Sequence, residues 1–428
     1  MPPEHPPLFW LDRSERARRM ARDVVHALRP GQARDELGLG AIRDAIAEAL
    51  SPGTSTIMTR ARYLLFVPAI YLELERRTSP FAGRAGVERF WKNGERALLR
   101  ALIETEPDRG AGVIGRDIYK GRGALPTRLP AEIYWSGLSS WGILREPIGR
   151  TRYHAALASG AFAMADESGE VSSPWDPALP TDDSARRMAE ADGLQLSEDE
   201  AAYLLHRLDC IDGGVRGMGR DSFLRWMIDN PESAADGPQA CWDTAAGSRC
   251  CPENLYQTCT RARWFSALMH GAQLVYNKLI EKRVVADAPD VARELDLNGL
   301  VYVDAIQRWI ADEAGTLGRM SLDEFWDWPV LHAALPVGDR RHGLTRSFVR
   351  RWYELVGRSP KRALGKAAGE LVSKRETLLK PGRSRLTGAK EQLEVFKGQA
   401  GAGALDFRFA VTANLASDIA GGLGSKVR

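Results

Sequence analysis

Cysteine, histidine and paired carboxylates are the side chains best able to do chemistry, and their spacing in this 428-residue chain argues against the common site types. Five cysteines, Cys210, Cys241, Cys250, Cys251 and Cys259, fall within fifty residues. Structural zinc usually takes its ligands in C-x2–4-C pairs. Here no C-x-x-C occurs, and the adjacent side chains of Cys250 and Cys251 diverge. His206 and His270 would complete a site only through folding. The expectation is therefore buried free thiols and no metal. His5, His26, His154, His206, His270, His332 and His342 are scattered, not clustered. No G-x-x-x-x-G-K-[ST] is present to cradle phosphates, since Gly421-Gly-Leu-Gly424-Ser-Lys426 has the wrong spacing. H-E-x-x-H, G-x-S-x-G and H-x-K with a following Asp are also missing, which removes three hydrolytic mechanisms. A carboxylate set that converges only on folding stays open. Asp209 and Asp212 are of the right type but read as solvated. No cofactor is expected.

Binding chemistry is better represented. Holding nucleic acid needs several Lys or Arg side chains, each neutralising a phosphate and releasing counterions. The C-terminal part supplies Arg346, Arg350, Arg351, Lys361, Arg362, Lys374, Arg375, Lys380, Arg383 and Arg385. Arg346 and Arg350 stand four residues apart and share a helix face. Trp352 adjoins them but fits an apolar stripe better than a base-stacking platform. Near the N-terminus, Thr54-Ser-Thr56 with Arg60 and Arg62 has the make-up of a phosphate cradle at a helix start. An ordinary cap followed by surface arginines is the plainer alternative. The candidate contacts are thus Arg60, Arg62, Arg346, Arg350, Arg351, Lys361, Arg362, Lys374 and Arg375.

The net charge of +3 hides a strong partition. Residues 1–159 carry 25 Lys+Arg against 18 Asp+Glu, residues 160–339 carry 15 against 31, and residues 340–428 carry 19 against 7. Local excess sets the local field, so basic ends suggest an acidic partner, with DNA the leading case. At 44% hydrophobic and 27% charged, the composition is globular and not disordered. No stretch approaches the ~20 apolar residues that cross a bilayer. The start, Met1-Pro-Pro-Glu-His-Pro-Pro7, lacks a signal-peptide layout, so a cytoplasmic protein is expected.

The elements that must position these residues read as helices. Arg16 to Leu28 is a basic amphipathic helix. Ile42, Ala45, Ile46, Ala49 and Leu50 mark a second from Leu39 to Leu50, stopped by Pro52-Gly53. Thr54-Ser-Thr56 is expected to cap the next, which runs through Leu64–Val67 and is kinked or split at Pro68. A helix over 86–106 precedes a glycine- and proline-rich loop at 110–130. Glu132 to Leu144 forms a short helix that would suit a winged-helix unit. Ser197-Glu-Asp-Glu200 is a capping box. Further helices fall at 220–228, 255–283, 302–313, 321–333 and 405–419, with an amphipathic stripe through Phe348, Val349, Trp352, Leu355 and Val356. The stretch 358–388 is basic and weakly hydrophobic, a composition that often orders only on binding. The fold class is therefore mainly α, multi-helix, in two or three domains with room for a small winged-helix-like element. The expected division is 1–157, a basic N-terminal helical domain; 158–183, a linker; 184–339, an acidic helical domain with the cysteine cluster; and 340–428, a basic C-terminal helical region.

One set of motifs resembles a known family. Arg34-Asp-Glu-Leu-Gly-Leu-Gly-Ala-Ile-Arg-Asp44, Ser51-Pro-Gly-Thr-Ser-Thr-Ile57, Thr59-Arg-Ala-Arg-Tyr63 and Phe66-Val-Pro68 open it. Leu129-Pro130, Ile133-Tyr-Trp-Ser-Gly137, Trp141-Gly-Ile143, Phe265-Ser266, His270-Gly-Ala272, Tyr276-Asn277 and Leu405-Asp-Phe-Arg408 follow in order. Together they resemble an uncharacterised bacterial family known by a domain-of-unknown-function label, associated with gene neighbourhoods that hold helicases and other anti-phage defence components. The resemblance implies a non-catalytic subunit beside a DNA-translocating enzyme, with helicase or other defence-system subunits as partners. It transfers no catalytic residue. The expected function is a DNA-contacting or scaffold subunit of such a complex. A metal-dependent nuclease with an unrecognised carboxylate site and a protein-only adaptor are the alternatives.

Overall fold

A computed structural model describes residues 35–77, 81–108, 111–160, 173–180, 184–212, 218–234, 240–336 and 338–424. The expected basic helix at 16–28 and most of the expected linker lie outside them. The described residues form nineteen α-helices and no strand, the nearest approach being one antiparallel bridge between Leu144 and Trp175. In chain order they are α1 Gly40–Leu50, α2 Tyr63–Glu75, α3 Gly83–Thr105, α4 Arg116–Arg122, α5 Pro130–Ser140, α6 Arg150–Ser159, α7 Ala185–Asp192, α8 Glu198–Asp209, α9 Phe223–Asp229 and α10 Cys241–Gly247. The long α11 Glu253–Asp287 follows, then α12 Pro289–Glu294, α13 Val301–Leu317, α14 Leu322–Trp326, α15 Pro329–Ala334, α16 Arg340–Val356, α17 Lys366–Leu379, α18 Glu391–Glu394 and α19 Phe409–Gly422. No described helix is long and apolar enough to cross a membrane. The mainly α, multi-helix expectation holds.

The residues group into two compact units, each built from separated stretches. One takes Ile42–Ala262 with Asp406–Arg428; the other takes Met1–Ala41 with Arg263–Leu405. The last helix, α19, thus folds with α8 and α9.

In the first unit, α1 buries Ile42, Ile46, Ala47 and Leu50 at helical spacing and stops at Ser51-Pro-Gly53. Gly53 is left-handed at φ 68°, and a Cβ there would lie 2.5 Å from the Trp141 ring, whose Nε1 donates to the Pro52 carbonyl at 3.1 Å. Glycine is the residue that turn admits. The next helix begins at Tyr63, later than the Thr54-Ser-Thr56 cap suggests, because Thr54 Oγ1 donates to the Ser51 carbonyl instead. Pro68 does not break α2. Almost every side chain from Tyr63 to Tyr71 is buried, and that burial outweighs the roughly 3 kcal/mol cost of an internal proline. The 110–130 loop contains the short α4, bracketed by left-handed Gly115 and Gly123. The Ser197/Glu200 capping box forms as expected on α8. Tyr71, Trp135, Tyr153 and Trp175 pack ring against ring at 5.1–5.9 Å.

In the second unit, α11 carries a polar stripe through an otherwise apolar surface. Ser266, His270, Gln273 and Asn277 follow one another at four, three and four residues, so they share a face. Ser266 donates to the Leu405 carbonyl at 2.8 Å and His270 bonds the Ala402 backbone. Asn277 accepts from the Ala400 N–H at 2.7 Å and donates to its carbonyl at 2.9 Å. The glycine-rich run 398–405, which has no helix of its own, is held by this stripe. The resemblance motifs at 265–277 and 405–408 meet here through Ser266 and Leu405. The helix expected over 321–333 is divided at Trp326, because Pro329 starts a new helix at its first turn.

Candidate nucleic-acid interface

The nine candidate cations separate into those the fold has already engaged and those it leaves open. Arg60 and Arg62 belong to the first group. Arg60 donates through Nε and Nη2 to Asp418 at 2.7–2.9 Å and through Nη1 to the Ala111 carbonyl at 2.8 Å. Burial opposes its charge, yet Asp418 holds its pKa above the usual value. Arg62 is buried, with Glu200 at 3.0 Å and the Gly193 carbonyl at 3.0 Å. Both guanidinium forks tie the 59–62 segment to distant parts of the same unit, α19 and α8. The Thr59 and Arg60 N–H groups that would meet a phosphate are instead taken by the Tyr134 hydroxyl at 2.8 and 3.1 Å.

Arg346 and Arg375 are also engaged. Arg346 stacks 4.7 Å over the Trp326 ring and donates to the Leu335 carbonyl at 3.2 Å. Arg375 is buried and donates to the Leu37 and Gly38 carbonyls and to Thr345 Oγ1 at 2.8–3.1 Å; burial holds its pKa below the usual value. Trp352 is fully buried, its Nε1 donating to the Leu268 carbonyl at 2.8 Å, so it is core and not a platform for bases.

Two more basic residues of the stretch surround buried carboxylates. Glu36, Glu376, Lys380, Ser384, Arg385 and Tyr276 form one network, with Lys380 on Glu36 and Ser384 on Glu376. Burial works against the Glu36 anion, but Lys380 and Arg385 keep its carboxyl below the ordinary range. The partners Glu36 and Glu376 lie 349 and 9 residues from Arg385 in the chain, and spacing alone gave no sign of the first.

Arg350, Arg351, Lys361, Arg362 and Lys374 remain. All five are exposed, and among the described residues no ion pair engages them. Arg350 and Arg351 ride on α16 opposite its buried stripe of Phe348, Val349, Trp352 and Val356. Lys361 and Arg362 stand on a 3-10 turn at Pro360–Leu364, and Lys374 stands on α17. Helices α16 and α17 and this turn pack against one another, so one piece of the second unit presents all five. Asp339 caps α16, accepting from the Arg341 and His342 N–H groups at 2.7 and 3.2 Å, and those bonds hold its carboxyl below the usual range.

The groups with acid/base potential lie elsewhere and are enclosed. Burial pushes the Glu95 carboxyl up to about 7, against the Ala131 N–H and Trp91 indole that favour its anion. Burial and Arg150 push His154 down to about 4, and its Nε2 meets the Tyr71 hydroxyl at 2.8 Å. Cys241 and Cys259 are buried free thiols joined by a side-chain hydrogen bond, whereas Cys210 and Cys250 are exposed, against the expectation of burial, because they stand at the end of α8 and in the turn after α10. Among the described residues no three His, Cys, Asp or Glu side chains converge as a metal site requires.

The chain matches the family of unknown function DUF6361 over residues 6–422. No curated protein and no solved structure matches it. A match over nearly the whole length, both units included, places this chain in the DUF6361 family.

Proposed function

We propose that this chain is a non-catalytic, DNA-contacting subunit of a cytoplasmic bacterial anti-phage defence complex, acting with a helicase or other ATPase partner. The observation that carries the DNA contact is the set Arg350, Arg351, Lys361, Arg362 and Lys374, exposed together on one packed segment. An unpaired surface cation has lost none of its capacity to neutralise a phosphate, whereas the engaged arginines would first have to break internal bonds. The partner rests on the family resemblance stated for the motifs above. The missing catalytic signatures support a binding role over a chemical one.

The test is a titration of pure full-length protein with a labelled DNA duplex at about 50 and 200 mM salt, with and without Mg2+. Binding that weakens tenfold or more at the higher salt, with the DNA intact, is expected. Reversing Arg350, Arg351, Lys361 and Arg362 to Glu should remove it, and unchanged binding overturns the assignment. Loss of intact duplex only with metal would favour a nuclease. Co-expression with a neighbouring helicase gene, followed by size-exclusion chromatography, tests the partner.

A further inference from the structure

Beside the open cations lies a surface groove of about 800 Å3 between the end of α11, the turn at Leu364 and α17. Its floor is aliphatic. Leu279 packs so close to Gly369 that a Cβ there would sit 3.4 Å from the leucine. Leu378 and Leu364 extend the apolar strip while 56% and 36% exposed. Its rim is cationic: Lys278 and Lys282 stand one turn apart on α11, and Lys366 and Lys374 two turns apart on α17. One carboxylate intervenes, Glu370, paired with Lys366 at 3.4 Å. Lys278 already leans inward, donating to the Leu364 carbonyl at 3.2 Å.

We propose that this groove docks an acidic amphipathic helix of a protein partner, its apolar face on Leu279, Leu364 and Leu378 and its flanking carboxylates on Lys278, Lys282 and Lys374. The charge complementarity sets the sign of the partner. Burial and the neighbouring Lys282 lower the pKa of Lys278, so an arriving carboxylate would relieve a desolvated pair of like charges. The lysines of α17 span about 12 Å, which matches two to three turns of helix. The floor distinguishes a peptide from a nucleic acid. Single strands gain from aromatic rings on which bases stack, and the groove is lined by none. Leucines left exposed between lysines gain from an apolar face. The inference deepens the subunit reading by giving the chemistry of its partner, and it can fail while DNA binding stands.

Fluorescence anisotropy on the full chain tests it with three labelled probes. One is a designed helical peptide with Leu on one face and Glu on both flanks; the second is the same composition scrambled; the third is a single-stranded oligonucleotide of equal charge. The patterned peptide should bind at least about tenfold more tightly than the scrambled one. Leu378→Asp, at an exposed position, and Lys282→Glu should each weaken it about tenfold or more while leaving duplex DNA affinity within about twofold. Equal binding of the two peptides, or variants that bind like the parent, would overturn the proposal. Displacement of the peptide by the oligonucleotide, with oligonucleotide affinity lowered by Lys282→Glu, would assign the groove to nucleic acid instead. Arg350→Glu with Arg351→Glu should weaken the duplex and spare the peptide, which separates the two readings.

Discussion

A side chain of one type plays opposite roles in this chain according to what the fold brings beside it. Arg60 and Arg350 are equally basic in sequence, yet Arg60 is spent on Asp418, 358 residues away, and Arg350 faces solvent. Glu95 shows the same rule for an acid. Its Oε1 accepts from Trp91 Nε1 and the Ala131 N–H, its Oε2 is buried without a hydrogen-bond partner, and burial raises its pKa from 4.5 to about 7. The folded state therefore holds this proton more tightly than the unfolded chain does. Its contribution to stability is full below about pH 4.5 and is lost as pH rises through about 7. Glu95→Gln keeps the acceptor and removes the charge. It should match the parent near pH 4.5 and exceed it at pH 8 by up to about 3.5 kcal/mol, at about 1.4 kcal/mol per pKa unit. Thermal unfolding of both proteins across that range checks this, and parallel profiles would show that Glu95 does not titrate between the states.

At the level of elements, periodicity located helices well and their ends less well. The spacing of Phe348, Val349, Trp352 and Val356 fixes the buried face of α16. Helix α17 was harder to read, because two of its four buried side chains are Arg375 and Glu376. A hydrophobicity pattern counts both as surface. They are buried because Leu37, Gly38, Thr345, Ser384 and Tyr276 satisfy them. Helix crossings add a constraint that spacing does not reveal. On α11, a Cβ at Gly271 would lie 2.4 Å from the Trp309 ring, which is fixed by its bond to the Ala267 carbonyl at 2.8 Å. Gly315, on α13, has open space around the same position. Gly271→Ala should thus cost about 1–3 kcal/mol by overpacking. Gly315→Ala should gain about 0.4–1 kcal/mol by restricting the unfolded chain. Urea midpoints of the two variants should move in opposite directions, and a shared sign would contradict the packing described for α11 and α13.

For the molecule as a whole, the charge partition changes when residues are grouped by fold instead of by chain position. The linear slices differ sharply, but the unit of Ile42–Ala262 with Asp406–Arg428 carries 29 Lys+Arg against 33 Asp+Glu, and the other carries 30 against 23. The acidic middle is shared between both ranges, so neither carries a large net negative charge. The proposed DNA contact rests on the local basic excess on α16, α17 and the turn between them. Five open cations predict that log K for duplex DNA falls with log salt at a slope no steeper than about −4.5, or up to about 500-fold between about 50 and 200 mM. A titration series measures that slope. Reversing four of the five should leave a slope shallower than about −1, and an unchanged slope would place the DNA elsewhere on the molecule.

The sequence by itself determined the helical class, most helix positions, the Ser197 cap and the run of motifs that resembles a family of unknown function. These follow from local periodicity, cap chemistry and spacing, which act over a few residues. Only the tertiary structure decided which arginines are free, why Pro68 sits inside a helix, how the polar stripe of α11 holds the glycine-rich run, and where lysines from α11 and α17 meet over leucines. Those outcomes depend on partners tens to hundreds of residues away, and a buried ion pair, a ring contact or a groove exists only once such residues share a place in space.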